Sequence, residues 1–211
     1  MKKILIITSL IVGLNATAQK VYNNFKDFDK VVLNNINGSV VIETGKEHKI
    51  EVDGVPEDDS IINIEETREN RLIISMKKGL GWEYTKNLNL KIKITMPGIS
   101  KLYNNGNGNV TITNLVTRYL GVENDGNGDI TLNGTIIDLL EIENSGNGDV
   151  KAKQIEAKKV NATKQGNGNI EIKTNANFDT KLSGNGNIIN YGNGKAMILK
   201  QTGNGQVIYK N

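Results

Sequence analysis

Apolar and polar residues alternate in short runs along most of this chain, and no stretch sustains the 3.6-residue spacing of an amphipathic helix. The alternation is sharpest around one tripeptide. Gly106-Asn107-Gly108, Gly126-Asn127-Gly128, Gly146-Asn147-Gly148 and Gly166-Asn167-Gly168 follow one another at intervals of twenty residues. Gly184-Asn185-Gly186, Gly192-Asn193-Gly194 and Gly203-Asn204-Gly205 continue the series, the first of them two residues early. Two positions after the last glycine stand Val110, Ile130, Val150, Ile170, Ile188 and Val207, and two further on stand Ile112, Leu132, Ala152, Ile172 and Tyr209. Four positions before the first glycine stand Leu102, Val122, Ile142, Ala162 and Leu199. This pattern predicts short strands with one buried face on each side of a fixed corner. A further cluster per repeat (Leu115-Val116, Ile136-Ile137, Ile155 with Ala157, Ala176 with Phe178) supplies another wall.

A unit of about twenty residues cannot bury its apolar face alone, but a second unit stacked about 4.8 Å away buries it and pairs the backbone. The predicted fold is therefore all-β: a single-stranded, right-handed parallel β-helix, a solenoid with rungs of about twenty residues. Equivalent side chains should lie above one another, Val110 on Ile130 on Val150 on Ile170. The corner asparagines Asn107, Asn127, Asn147, Asn167, Asn185 and Asn204 should form a ladder. A sharp corner asks for positive φ, which explains glycine in the motif. Calcium is the alternative use of such glycine-rich repeats. The residue after the motif is Asn109, Asp129, Asp149, Asn169, Asn187 or Gln206, mostly neutral, and the period is not nine, both of which argue against it.

Before residue 99 the beat is lost although the layout persists. Val31-Val32-Leu33, Asn37-Gly38 and Val40-Val41-Ile42 repeat the order strand, corner, strand. Further strands are expected at 50–52, 61–64, 72–76 and 88–95, with Pro97 ending the last. Phe28-Asp29-Lys30-Val31, Asn37-Gly38-Ser39-Val40-Val41-Ile42, His48-Lys49-Ile50-Glu51-Val52, Leu72-Ile73-Ile74-Ser75 and Ile92-Lys93-Ile94-Thr95-Met96-Pro97 precede the repeats in that order. From about Phe28 to Val207 the chain resembles the auto-transporter adhesin head GIN domain family of exported bacterial envelope proteins. The resemblance implies a β-helical, envelope-associated protein of adhesin type. It does not extend to a membrane β-barrel, for which the sequence as far as Asn211 offers no room.

Residues 1–18 read as a signal peptide: Lys2 and Lys3, an apolar run from Ile4 to Val12, and Ala16-Thr17-Ala18 before the cleavage point. The run is short for a membrane anchor, and no transmembrane segment is expected in residues 19–211, read as one domain. Of 26 basic and 23 acidic residues, two basic ones belong to the signal, so the remainder carries a formal +1. That balance excludes electrostatic capture of nucleic acid. Cysteine is absent, which removes disulfides, thiol chemistry and thiolate metal sites. No cofactor is implied.

Candidate chemistry is sparse. Asp129 and Asp149 stack in one column and could make a carboxylate pair for a polysaccharide lyase or hydrolase, but as corner residues they serve equally as ladder partners. Glu123, Glu141 and Glu143 should face solvent. His48, the single histidine, lies in a polar turn and reads as surface. Trp82 and Tyr84, in the glycine-flanked stretch from Lys78 to Lys86, can stack on a sugar, anchor a protein or plug an open side of the stack. Phe25 and Phe28 could cap the first turn. The last strand, Val207 to Lys210, has no cap after it, which points to another copy or another protein. The expectation is a non-enzymatic scaffold in contact with protein or glycan at the cell envelope.

Overall fold

The computed structural model describes residues 19–55, 61–77 and 90–210. All seventeen strands among them hydrogen-bond into one mostly parallel sheet, numbered here in chain order. Two rows of strands run through it. In the first, β7 (Lys91–Met96), β3 (Ser39–Thr44), the first half of β9 (Val110–Asn124), the first half of β10 (Ile130–Asn144), β11 (Val150–Glu156), β13 (Ile170–Lys173), β15 (Ile188–Asn190) and β17 (Val207–Tyr209) pair in parallel succession. In the second row the order is β6 (Arg71–Met76), β2 (Lys30–Asn34), β8 (Lys101–Asn105), the second halves of β9 and β10, β12 (Lys159–Lys164), β14 (Phe178–Gly184) and β16 (Ala196–Gly203). The Gly-Asn-Gly corners join one row to the other.

Register follows the repeat. Val110 pairs with Ile130, Ile130 with Val150, Val150 with Ile170, Ile170 with Ile188 and Ile188 with Val207. Their side chains face one core that runs from Phe28 to Ile188 and also takes in Leu33, Ile42, Ile74, Leu102 and Phe178.

The N-terminal part departs from the expected run of parallel rungs. β4 (Lys49–Asp53) pairs antiparallel with β7, β1 (Lys20–Tyr22) pairs antiparallel with β4, and β5 (Ile62–Thr67) pairs antiparallel with β6. The physical reason is local for β5 and β6: they are joined by a turn in which Asn70 takes φ 57°, too tight for a parallel crossover. β2 and β3, by contrast, sit directly beneath β8 and β9, with Val31 opposite Leu102 and Val40 opposite Val110. The chain between them travels to the far side of both rows and returns.

Three expectations of placement fail. Leu199 is 55% exposed, because a register shift between β14 and β16 takes Thr180 to Ile198 and Lys181 to Lys200, leaving Leu199 unmatched. Tyr209 aligns with Asn190 but is 40% exposed, and Val116 turns outward beside the buried Leu115. The motif glycines are also explained differently. Only Gly184 and Gly203 among them have positive φ. What the others supply is room: a Cβ on Gly126, Gly146 or Gly166 would overlap the carbonyl oxygen of Gly106, Gly126 or Gly146, and one on Gly128, Gly148 or Gly168 that of Gly108, Gly128 or Gly148. Gly192-Asn193-Gly194 belongs to another corner, stacked on Thr174-Asn175-Ala176.

One interior column is polar. Asn104, Asn124 and Asn144 are buried in register and are followed by Lys164, then Leu182. Lys164 is 1% exposed, and among the described residues its Nζ has only a long contact, 3.5 Å, to the Asn144 carbonyl. Burial pushes its amine down to about 8, with Asp149 opposing weakly.

Two stability predictions follow from this packing. Gly148→Ala, whose methyl meets backbone that cannot swing aside, should cost about 2–4 kcal/mol, whereas Gly98→Ala, with nothing within 4 Å, should stay within about 0.5 kcal/mol of the parent in urea unfolding. For Lys164 the folded amine titrates near 8 and the unfolded one near 10.5, so the unfolded chain holds the extra proton between those values. Unfolding free energy should therefore rise with pH across that window and carry a constant penalty below it, on the order of 3 kcal/mol. Lys164→Met should raise stability at pH 7 and flatten the pH 8 to 10.5 slope; an unchanged slope refutes the assignment.

Candidate functional site

The corner positions the most regular polar groups on the molecule. Asn107 Nδ2 donates to Asn37 Oδ1 at 2.8 Å, Asn127 to Asn107 at 2.6 Å, Asn147 to Asn127 at 2.7 Å, Asn167 to Asn147 at 2.7 Å, Asn185 to Asn167 at 3.0 Å and Asn204 to Asn185 at 3.0 Å. The series thus reaches back to the Asn37-Gly38 corner. Each amide is exposed, but its main donor and acceptor are spent on its neighbours.

Beside it runs a second series in which side chains fasten backbone. Asn109 Oδ1 accepts the Asp129 N–H at 2.9 Å, Asp129 Oδ1 that of Asp149 at 2.8 Å, Asp149 Oδ1 that of Asn169 at 2.7 Å, and Asn169 Oδ1 that of Asn187 at 2.9 Å. Only an acceptor is needed, which explains why Asp and Asn interchange there. The other oxygen of Asp129 holds the Lys151 ammonium. Burial pulls the Asp129 carboxyl upward, but the bonds from Lys151 and from the Asp149 N–H outweigh it and leave the group below its ordinary value. That is opposite to what a general acid requires. Among the described residues no group of three or more His, Cys, Asp or Glu is placed to hold a metal.

Inside the corner, a third set closes the loop. Asn124 Nδ2 donates to the Gly128 carbonyl at 3.2 Å, Asn144 to Gly148 at 2.9 Å, Asn190 to Gly194 at 2.9 Å, and Gln201 Nε2 to Gly205 at 3.2 Å. The signal was present in the chain as Asn-x-Gly-Asn-Gly at 104–108, 124–128, 144–148 and 190–194.

Other candidates fall differently. Trp82 and Tyr84, like residues 1–18, lie outside the described residues. His48 is not plain surface: it is half-buried, its ring lies 4.3 Å from that of Phe28, and its Nε2 sits 2.8 Å from the Phe28 carbonyl oxygen. Phe25 meets Phe28 edge-on at 5.8 Å, so these three rings pack together against the core just before β2, which lies between β6 and β8 and is no end of the stack.

The least repetitive surface is the outward face of the second row. One column there reads Lys30, Lys101, Gly121, Glu141, Asn161, Asp179, and the next reads Val32, Tyr103, Glu123, Glu143, Thr163, Lys181. Gly121 leaves a gap in the first column that the ring of Tyr119 overhangs, its hydroxyl being the nearest atom to a Cβ built there. That hydroxyl donates to Glu141 Oε2 at 2.9 Å, and Tyr103 donates to Asp125 Oδ2 at 2.9 Å. Burial and then these carboxylates raise both phenols above their ordinary range, so both stay protonated donors. Glu123, Glu141 and Glu143 line a cavity of about 230 Å³ with Tyr119, Asn161 and Lys101. Alternation alone marked the glutamates as outward, but the tyrosines are placed by cross-strand partners that no single repeat reveals.

Comparison with known proteins agrees with this architecture. A crystal structure of a putative adhesin from Bacteroides fragilis superposes with a TM-score of 0.74 at 23% identity, covering 92% of this chain and 96% of that one. Putative adhesin and putative lipid binding protein structures from Parabacteroides merdae and Parabacteroides distasonis match at a TM-score of 0.46 each, with 15% and 17% identity. They cover 94% of this chain and 98% of each of theirs. No curated protein matches the chain. The family model described as "Putative auto-transporter adhesin, head GIN domain" matches residues 27–194, and the chain belongs to that family.

Proposed function

We propose that this protein is an exported cell-envelope scaffold of adhesin type, which presents the flank of a right-handed β-solenoid to protein or glycan and does no chemistry of its own. In this reading residues 1–18 direct export and residues 19–211 form a single domain. The carrying observation is the division of labour among polar groups. The corner side chains are consumed in holding repeats together, while the outward columns of the second row change in residue type and charge from repeat to repeat. A surface that varies on an invariant frame is suited to recognition. Family membership supports an envelope or surface location.

A polysaccharide-cleaving enzyme built on Asp129 and Asp149 is the competing reading. Both carboxylates are engaged by backbone N–H groups of the next repeat, and Asp129 also by Lys151, which supports a fastening role over an acid–base one. The C-terminal strands supply a second contact. β16 pairs only with β14 among the described residues, and Met197, Ile198 and Leu199 along it are 47–55% exposed. A strand edge of this kind is suited to a second copy of the chain.

Three measurements test these readings. Labelled protein titrated onto fixed bacterial and epithelial cells should bind saturably; failure to saturate on any surface counts against the adhesin reading. Asp129→Asn with Asp149→Asn should fold normally and leave polysaccharide depolymerisation at the uncatalysed rate in parent and variant alike. Turnover by the parent that the double variant loses would restore the enzyme. Light scattering across micromolar concentrations should show a dimer that Ile198→Lys dissociates, and a strict monomer refutes association through β16.

A further inference from the structure

Three cavities lie side by side on the outward face of the second row. One of about 310 Å³ between β2, β6 and β8 shares Lys101 and Glu123 with the 230 Å³ cavity beneath Tyr119. The latter shares Glu141, Asn161 and Thr163 with a third of about 260 Å³ that reaches Asp179 and Lys181 on β14. Together they make one trough that crosses β2, β8, β9, β10, β12 and β14 at right angles to the strands. Six strands at about 4.8 Å spacing give it a length of about 24 Å. Nothing in the folding of the repeat demands this. The corner columns hold the same residue type from repeat to repeat, whereas this face carries a glycine gap, two tyrosines and a changing set of charges.

We propose that this trough binds an extended, uncharged glycan chain, with Tyr103 and Tyr119 as stacking platforms. The inference rests on the contact-surface reading above and names its ligand class and location. The occupant follows from the direction and charge of the trough. A peptide gains most by adding a strand to a sheet edge, but here every strand crossed is already paired on both sides, so no main-chain ladder is available. Charge excludes both polyelectrolytes. Arg71, Lys30 and Lys101 stand at one end, Lys101 paired with Glu123, then Glu141 and Glu143 in the middle, and Asp179 beside Lys181 at the other end. A polyanion would cross the glutamates and Asp179, and a polycation the basic first end and Lys181, and each arrangement desolvates like charges against one another. A chain of hydroxyls meets carboxylate and amide acceptors in the middle and ammonium donors at the ends. The apolar C–H face of a sugar ring packs on a tyrosine ring, and both rings are held in place beforehand by their bonds to Asp125 and Glu141.

The test is affinity electrophoresis of the purified protein through gels containing dextran, galactomannan, xylan or laminarin, with polygalacturonate and glycol chitosan as charged counterparts. At least one neutral polymer should retard the protein. Tyr103→Ala and Tyr119→Ala should each weaken that retardation about tenfold. Both tyrosines face outward, so the variants should keep the parent's unfolding midpoint. No retardation by any neutral polymer, retardation only by a charged one, or parent-like retardation of the folded variants would each overturn the proposal. Periodate oxidation and protease treatment of the target cells separate the two readings. Cell binding that survives periodate and is lost to protease, unchanged in Tyr119→Ala, keeps the contact-surface reading and refutes the glycan trough. Retardation by a neutral polymer without cell binding does the reverse.

Discussion

Backbone meets backbone with no room for a Cβ between them where one Gly-Asn-Gly corner rests on the carbonyl groups of the corner before it. Strands accept a spacing of about 4.8 Å readily, because their side chains stand perpendicular to the direction of stacking. A corner has no such freedom: the chain reverses, side chains splay, and any Cβ pointing along the stack meets the neighbouring repeat. Glycine at both flanks of the corner lets the carbonyls of successive repeats nest, and Asn127 N and Gly128 N both reach the Gly106 carbonyl, at 3.0 and 3.3 Å. Once the corners sit at strand spacing, the rows on either side are forced into the register that puts Ile130 between Val110 and Val150. Core, ladders and outward face all inherit their alignment from this contact.

Polar groups near the corner complete what glycine permits. A reversal leaves N–H and C=O groups without sheet partners, and burying them unpaired is costly. Two sets of side chains address the deficit, since the Asx series receives the N–H of the following repeat and the inner asparagines cover the carbonyl of the last glycine, while the outer asparagines bond to one another. Lys164 interrupts the inner set. It has the reach but not the geometry of asparagine, and its amine finds a single distant carbonyl. The interruption coincides with the place where the period shortens from twenty to eighteen residues, between Ile170 and Ile188. There the long side chain of Lys164 lies under Gly186, where a Cβ would meet its Cε.

What could be read from the chain divides along the same physical line. Wherever the partner of a residue lies one repeat away, the period reveals it, so Val110 to Ile172 and the corner residues were legible. β2 and β3 carry the same pattern as β8 and β9, but the pairing of Val31 with Leu102 and Val40 with Val110 skips the whole excursion through β4 to β7. Periodicity carries no information about such a skip. The antiparallel pairs were hidden for a related reason: alternation specifies which face of a strand is buried, not which way the strand runs. Asn104, Asn124 and Asn144 were missed because an inward position was expected to be apolar. Leu199 was misplaced by one residue of register, enough to turn a side chain to the other face. The trough at Gly121 was invisible for the deeper reason that its parts come from six strands and share no motif.

That last point bears on why a fold of this kind suits recognition. In a globular enzyme the residues of a site compete with the core for the same loops and packing. Here the frame is fixed at the corner and in the interior, by Gly106 to Gly148 and by the stacked valines and isoleucines. Substitutions two or three bonds away on the outward face leave that contact untouched. Tyr119 over Gly121 is a case in point, since a glycine in the middle of an outward column lets a tyrosine lie across it without opening the core, with Val122 beside it still 1% exposed. An outward column is therefore free to become a sequence of chemically distinct positions, spaced at strand intervals along a rigid axis. A linear polymer presents its own groups at regular intervals along an axis. The match between the two, rather than any single pocket, is the physical basis for assigning contact to this face.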